Sequence, residues 1–235
     1  PEFRDYNPSN EEWEALHIAA WLHDCGKVTT PEYVVDKATK LETLYDRIHE
    51  VRMRFEVLKR DAWIAYWRGR AEGGDEAALA AQRDQLLSDL DEEFAFIARI
   101  NQGGEAMADT DQARLEQIAE RRWLRTLDNR LGVSWEEAKR LERAAPDDLP
   151  VEEALLADRL DHLIERPAQE LIAPDNRWGF KLEVPPHKFN RGELHNLSIA
   201  RGTLTAEERY IINHHIVQTI LMLDRLPFPK HLQSV

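Results

Sequence analysis

Helical periodicity runs through almost the whole chain, and it constrains the fold more than any other feature. Apolar residues recur at three- and four-residue spacing in segment after segment, while the period-two alternation of a half-buried strand is nearly absent. Start signals agree with the period. Ser9 followed by Glu12 reads as a capping box, the hydroxyl accepting from an orphan amide and the carboxylate reaching back. Trp13, Leu16, Ile18, Ala19, Ala20 and Leu22 carry that helix toward Gly26, read as the glycine that closes it. Pro31 opens a short helix from Glu32, since proline is tolerated in a first turn. A long helical pattern follows from Leu41 to about Arg70. Residues 69–104 read as a helical hairpin that turns at AEGGDE, with Leu86, Leu87, Leu90, Phe94, Ile97 and Ile100 as its buried stripe. Further helices are expected from Asp109 to Leu131, after the Ser134/Glu137 capping box, and from Ala206 to Leu226 behind Thr205/Glu208. Only Phe180 to Val184, in a loose, proline-rich stretch, is allowed as strand. The expected fold class is all-α.

Composition narrows the function classes. The 235 residues are 43% hydrophobic with 10 Gly, 11 Pro and one Cys, which excludes a collagen, a disulfide scaffold and wholesale disorder. No apolar run is long enough to span a bilayer and no signal peptide is visible, so no membrane contact is expected within the chain. Lys plus Arg number 31 against 44 Asp plus Glu, a formal charge of −13 that argues against binding DNA or RNA. A lone Cys25 fits a reducing, cytoplasmic compartment. The chain begins at Pro1, and the expectation is that it is a piece of a longer protein.

The most specific string is Leu22-His23-Asp24-Cys25-Gly26-Lys27. An imidazole nitrogen and a carboxylate oxygen both ligate divalent ions, and one carboxylate can bridge two of them. Lys27 lies about one turn after His23, near enough to neutralise a phosphate. Cys25 is read as a small packing residue and not as a nucleophile. There is no GxGxxG, no P-loop and no HExxH.

HDCGK, with TPEYVVDKATKLE behind it, resembles the HD superfamily of metal-dependent phosphohydrolases and, more narrowly, its HD-GYP branch. Usual members carry HDIGK and then a Lys-Pro-Gly-Lys-Leu-Thr segment, with a third metal-ligating histidine eleven residues after its Leu. Counted from Leu41, that position holds Arg52. Residues 201–208, RGTLTAEE, resemble the same segment, and eleven beyond Leu204 stands His215. The resemblance therefore implies an HD-domain helical core interrupted by a long, mostly helical insertion. Residues 1–41 are its first part, 42–190 the insertion subdomain, and 191–235 the second part, cut short because no GYP segment occurs.

What the resemblance implies for chemistry is a phosphodiesterase that hydrolyses a cyclic dinucleotide such as cyclic di-GMP. His23, Asp24 and His215 would hold divalent ions, iron or manganese. His49 stands in reserve as a ligand because it follows the first KLE segment. Asp24 and Lys27 would serve catalysis, Lys27 by binding substrate phosphate. His214 is offset on its helix and read as a neighbour; His17, His162, His187, His195 and His231 are assigned nothing. The alternatives are a non-catalytic signalling or dimerisation module derived from an HD domain, and a generic HD nucleotidase. A homodimer is among the expected partners, and the setting expected is the cytoplasmic output domain of a larger bacterial sensor, membrane-anchored ones included.

Overall fold

The computed structural model describes residues 7–173 and 175–232. They divide into two compact units, each built from separated stretches of chain.

The first unit comprises Pro1–Asp36, Gln169–Pro185 and Ala206–Val235. Helix α1 (Asn10–Leu22) starts as expected, with Ser9 and Glu12 forming both halves of the capping box. It stops earlier than the expected glycine, at His23, whose backbone is still right-handed. A single 3₁₀ turn, Cys25–Thr29, follows, and Pro31 precedes the short α2 (Glu32–Val35). Near the other end of the chain the single expected helix is two: α8 (Ala206–Asn213) and α9 (His215–Asp224). The break has a local cause. The His215 ring turns back so that Nδ1 bonds the Ile212 carbonyl, an oxygen that an unbroken helix would commit to residue 216.

The second unit comprises Lys37–Ala168 and Pro186–Thr205. Its largest elements are α3 (Ile48–Ala71) and α4 (Glu76–Asn101), joined by the expected Gly-Gly turn, where Gly73 has φ +84° and Asp75 caps α4. The expected stripe is largely realised: Leu90, Ile97 and Ile100 join Val51, Phe55, Leu115, Leu155 and Leu197 in one apolar cluster, with Leu86 and Phe94 packed against it. Helix α3 begins later than the expected Leu41. Asn101 takes the Leu41 amide on Oδ1 (2.8 Å), and Asp46 Oδ1 receives the Ile48 amide (3.0 Å), so residues 41–47 are a side-chain-bonded loop.

The all-α expectation is overturned. After α5 (Asp109–Ala119) the chain forms β1 (Arg122–Arg125), and after α6 (Trp135–Leu141) it forms β2 (Val151–Ala154), which pairs antiparallel with β1. A second antiparallel pair joins β3 (Leu163–Glu165) to β4 (His187–Asn190), followed by the short α7 (Glu193–Leu197). So the helix expected to Leu131 ends at Ala119, and Phe180–Val184 is irregular chain, with the strand a few residues later. Three- and four-residue strands are too short to display alternation, and RWLR looks like the outer face of a helix. What holds β1 is long-range: Arg125 is buried, its guanidinium reaching Glu153 (2.8 Å) and Asp147 (2.5 Å). No described helix is long and apolar enough to cross a membrane.

Candidate active site

Four side chains of the first unit meet at the end of α1. His23 Nε2 lies 3.1 Å from Asp24 Oδ2, and His215 Nε2 lies 3.3 Å from Asp24 Oδ1. Lys27 Nζ is 2.5 Å from Asp24 Oδ2. The two histidines are 192 positions apart in sequence. One comes from the C-cap of α1 and the other opens α9, so tertiary structure alone joins them.

Both rings are oriented in the same way. His23 Nδ1 is 2.8 Å from the Ala20 carbonyl, and His215 Nδ1 bonds the Ile212 carbonyl. A carbonyl oxygen only accepts, so each Nδ1 carries the proton and each neutral ring presents a bare Nε2 lone pair. Those lone pairs face a carboxylate, which is also an acceptor. Such a meeting is stable only with a cation among the three groups: a second proton on each ring, or a metal ion. Backbone-anchored Nδ1–H is the arrangement that fixes a histidine as an Nε2 ligand. In kind and in tautomer the donors suit a divalent ion. In spacing they form an ion-pair cluster, and among the described residues no group of three or more His, Cys, Asp or Glu is arranged to hold a metal.

The electrostatics centre on Asp24. The Lys27 ammonium bonded to it holds its carboxyl below the ordinary carboxylate value, against a smaller opposing effect of desolvation. Asp24 therefore stays ionised and keeps both oxygens available as acceptors. His215 is the sheltered member, with 15% of its side chain exposed against 68% for His23. One side of the cluster is thus built into the fold and the other opens to solvent.

Gly26 explains how the two halves come so close. Its φ is not positive, so freedom to turn is not why glycine stands there. A Cβ at Gly26 would lie 2.1 Å from the His215 carbonyl oxygen and 2.5 Å from the Thr219 amide nitrogen, both backbone atoms of α9. The Gly26 amide donates to Thr219 Oγ1 at 2.9 Å, clamping the 3₁₀ turn onto the helix. Thr219 is the residue that sequence reasoning missed. The available signal was its position one turn after His215, on the same helix face. Gly26→Ala is expected to push the turn off α9 and to lower stability by about 1–3 kcal/mol, the ordinary cost of overpacking. Thermal unfolding beside the parent checks this; an unchanged melting temperature contradicts the close approach.

The other candidates stand elsewhere. His49, the reserve ligand, is in the second unit, with Nδ1 2.7 Å from an Arg52 guanidinium nitrogen, so it acts there as acceptor. Arg52 thus occupies the position counted for a third ligand and bonds the nearest histidine instead. Cys25 is half-buried and free. Lys27, expected on a substrate phosphate, is engaged by Asp24 while its side chain stays largely exposed.

Comparison with known proteins gives one likeness, over part of the chain. No curated protein matches the chain, and no solved structure does. A family model described as "HD domain" matches residues 150–235, a segment that includes His215 and leaves His23 and Asp24 outside it. HD domains generally bind divalent metal ions, and the match points to metal-dependent phosphohydrolase chemistry. The match covers the last 86 of the 235 residues, and the likeness to HD domains is shown for that segment alone.

Proposed function

We propose that the chain is a metal-dependent phosphodiesterase of HD-GYP type acting on a cyclic dinucleotide such as cyclic di-GMP. The observation that carries the reading is the meeting of His215 with the His23-Asp24 pair, with both Nε2 atoms aimed at one carboxylate. In this reading residues 1–41 and 191–235 are the two parts of an HD core, and 42–190 is inserted between them. His23, Asp24 and His215 would hold a divalent ion, iron or manganese. Once bound, such an ion supplies a water acidic enough to attack phosphorus and neutralises charge on the phosphoryl group.

The chain's own residues would do the rest. The Ala20 and Ile212 carbonyls hold the two imidazoles in the ligating tautomer. Gly26 and Thr219 fix the distance between the two halves. Lys27, with a flexible and exposed side chain, would exchange Asp24 for an incoming phosphoryl oxygen, a charge-assisted bond of the same kind.

A second reading has an observation of its own. The ion-pair spacing of the cluster also fits a signalling or dimerisation module that has kept the HD string without a working centre. The experiment is elemental analysis of protein purified without oxygen or chelator, followed by incubation with cyclic di-GMP. The expected result is near-stoichiometric iron or manganese and a linear dinucleotide product. Metal-free protein that stays inactive when ferrous or manganous ion is added supports the module. Turnover of mononucleotides alone supports a generic HD nucleotidase.

A further inference from the structure

Lys40 is a buried cation with too few partners. Only 3% of the residue is exposed. Its Nζ donates at 2.8 Å to the carbonyl of Leu197, the last residue of α7, and among the described residues that is its one acceptor. An ammonium carries three N–H donors, so two remain unused. The acceptor present is neutral, whereas a buried charge needs an anion or a full set of bonds. Burial accordingly pushes the Lys40 pKa down, opposed by the charge of Asp111, which is bonded to Arg99 instead. The main chain holds the lysine against the end of α4: its amide donates to the Asn101 carbonyl at 2.8 Å.

Lys40 forms part of the wall of a cavity of about 210 Å³ in the second unit, bounded also by Arg99, Gln102, Gly103, Gly104 and Asp111. One water needs only about 15 Å³, so a polyatomic ion has room. The second cation of the wall, Arg99, has a side chain 61% exposed and holds Asp111 through two long bonds of 3.3 Å. Gly104 leaves its part of the wall open, since a Cβ there would meet nothing within 4 Å. Two cations, one of them undercompensated, thus line the cavity with one carboxylate.

We propose that this cavity binds a phosphate group, free or carried by a small metabolite, between Lys40 and Arg99. A tetrahedral oxyanion supplies what the cavity lacks. It offers several acceptor oxygens to the two unused Lys40 donors, and it brings negative charge to a place where burial strengthens each charge-assisted bond. The Arg99 guanidinium, weakly held by Asp111, takes further oxygens in a forked bond. A carboxylate has only two oxygens, in one plane, to share between the two cations. Water fills donors without compensating the charge. The residues involved belong to the second unit, while His23, Asp24 and His215 belong to the first, so this site does not rest on the proposed hydrolytic activity.

Isothermal titration of the full chain with inorganic phosphate and with glycerol phosphate, at fixed ionic strength, tests the proposal. At least one is expected to bind with a dissociation constant below about 1 mM. Lys40→Met keeps the aliphatic stem without the charge and should weaken binding by about 10-fold or more. Phosphate should raise the melting temperature of the parent and not that of Lys40→Met. If Lys40→Met does not fold, Arg99→Glu decides, because that side chain is exposed and its reversal should abolish binding. Tighter binding of glycerol phosphate identifies an ester as the ligand, and equal or weaker binding the free ion; either supports the site. No binding of either up to about 20 mM overturns it. So does binding that both variants leave unchanged, which places the anion elsewhere, and so does acetate binding as tightly as phosphate.

Discussion

Under the proposed function, replacing His215 by alanine is expected to remove most of the bound metal and to lower turnover of cyclic di-GMP by at least about 100-fold. The magnitude follows from its place in the cluster. Outer partners of metal ligands already cost about 10–100-fold when removed, and loss of a ligand costs more. His215 is the sheltered donor, and its ring is held by the Ile212 carbonyl. Among the described residues the two other histidines considered are engaged elsewhere: His49 is bonded to Arg52, and His214 stacks on Tyr210 at 5.4 Å. His23→Ala should behave similarly, whereas Lys27→Ala should retain metal and lose turnover, because Lys27 is no ligand. Metal content and initial rates, measured together for the three variants, check this. Full activity in His215→Ala would falsify the site assignment.

The largest stability effect is expected at Arg54. Its guanidinium grips Glu193 with two bonds, 2.7 and 2.9 Å, and also donates to the Leu155 carbonyl at 2.8 Å. Only 4% of the Glu193 side chain is exposed. Arg54→Ala leaves that carboxylate buried beside a single weak donor, the Ala157 amide at 3.3 Å. Breaking a buried pair from one side costs about 3–5 kcal/mol, because the remaining charge is uncompensated. Replacing both partners, Arg54→Met with Glu193→Met, is expected to recover most of the loss, since a hydrophobic pair needs no compensation. Urea unfolding of the two variants decides it. If the double variant is as unstable as the single one, packing and not charge is what the pair contributes.

Helix starts were legible because their causes are local. Ser9 with Glu12, Ser134 with Glu137, Pro31 and the Gly-Gly turn each act within a few residues, and each stands where expected. Ends were less legible. The helix after Asp109 stops at Ala119 because residues 121–125 bond to a strand some thirty positions away. Apolar spacing can say that a stripe must be covered; it cannot say that a neighbouring stretch will choose a sheet partner over its own i−4 carbonyls.

The candidate site divides in the same way. Adjacent His and Asp, a small residue, Gly and Lys are a pattern that the amino-acid order displays by itself, as is the spacing that singles out His215. By itself the sequence therefore determined which residue types are available, and which helix ends present them. What the tertiary structure decided is that His215 and Thr219 lie against the turn at Gly26, and that Lys27 rests on Asp24. It also decided that His49 lies in the other unit. The physical reason is range. Caps and turns are settled by bonds a few residues long, while the meeting of His23 and His215 depends on where two distant segments can approach, and a Cβ at Gly26 would prevent it.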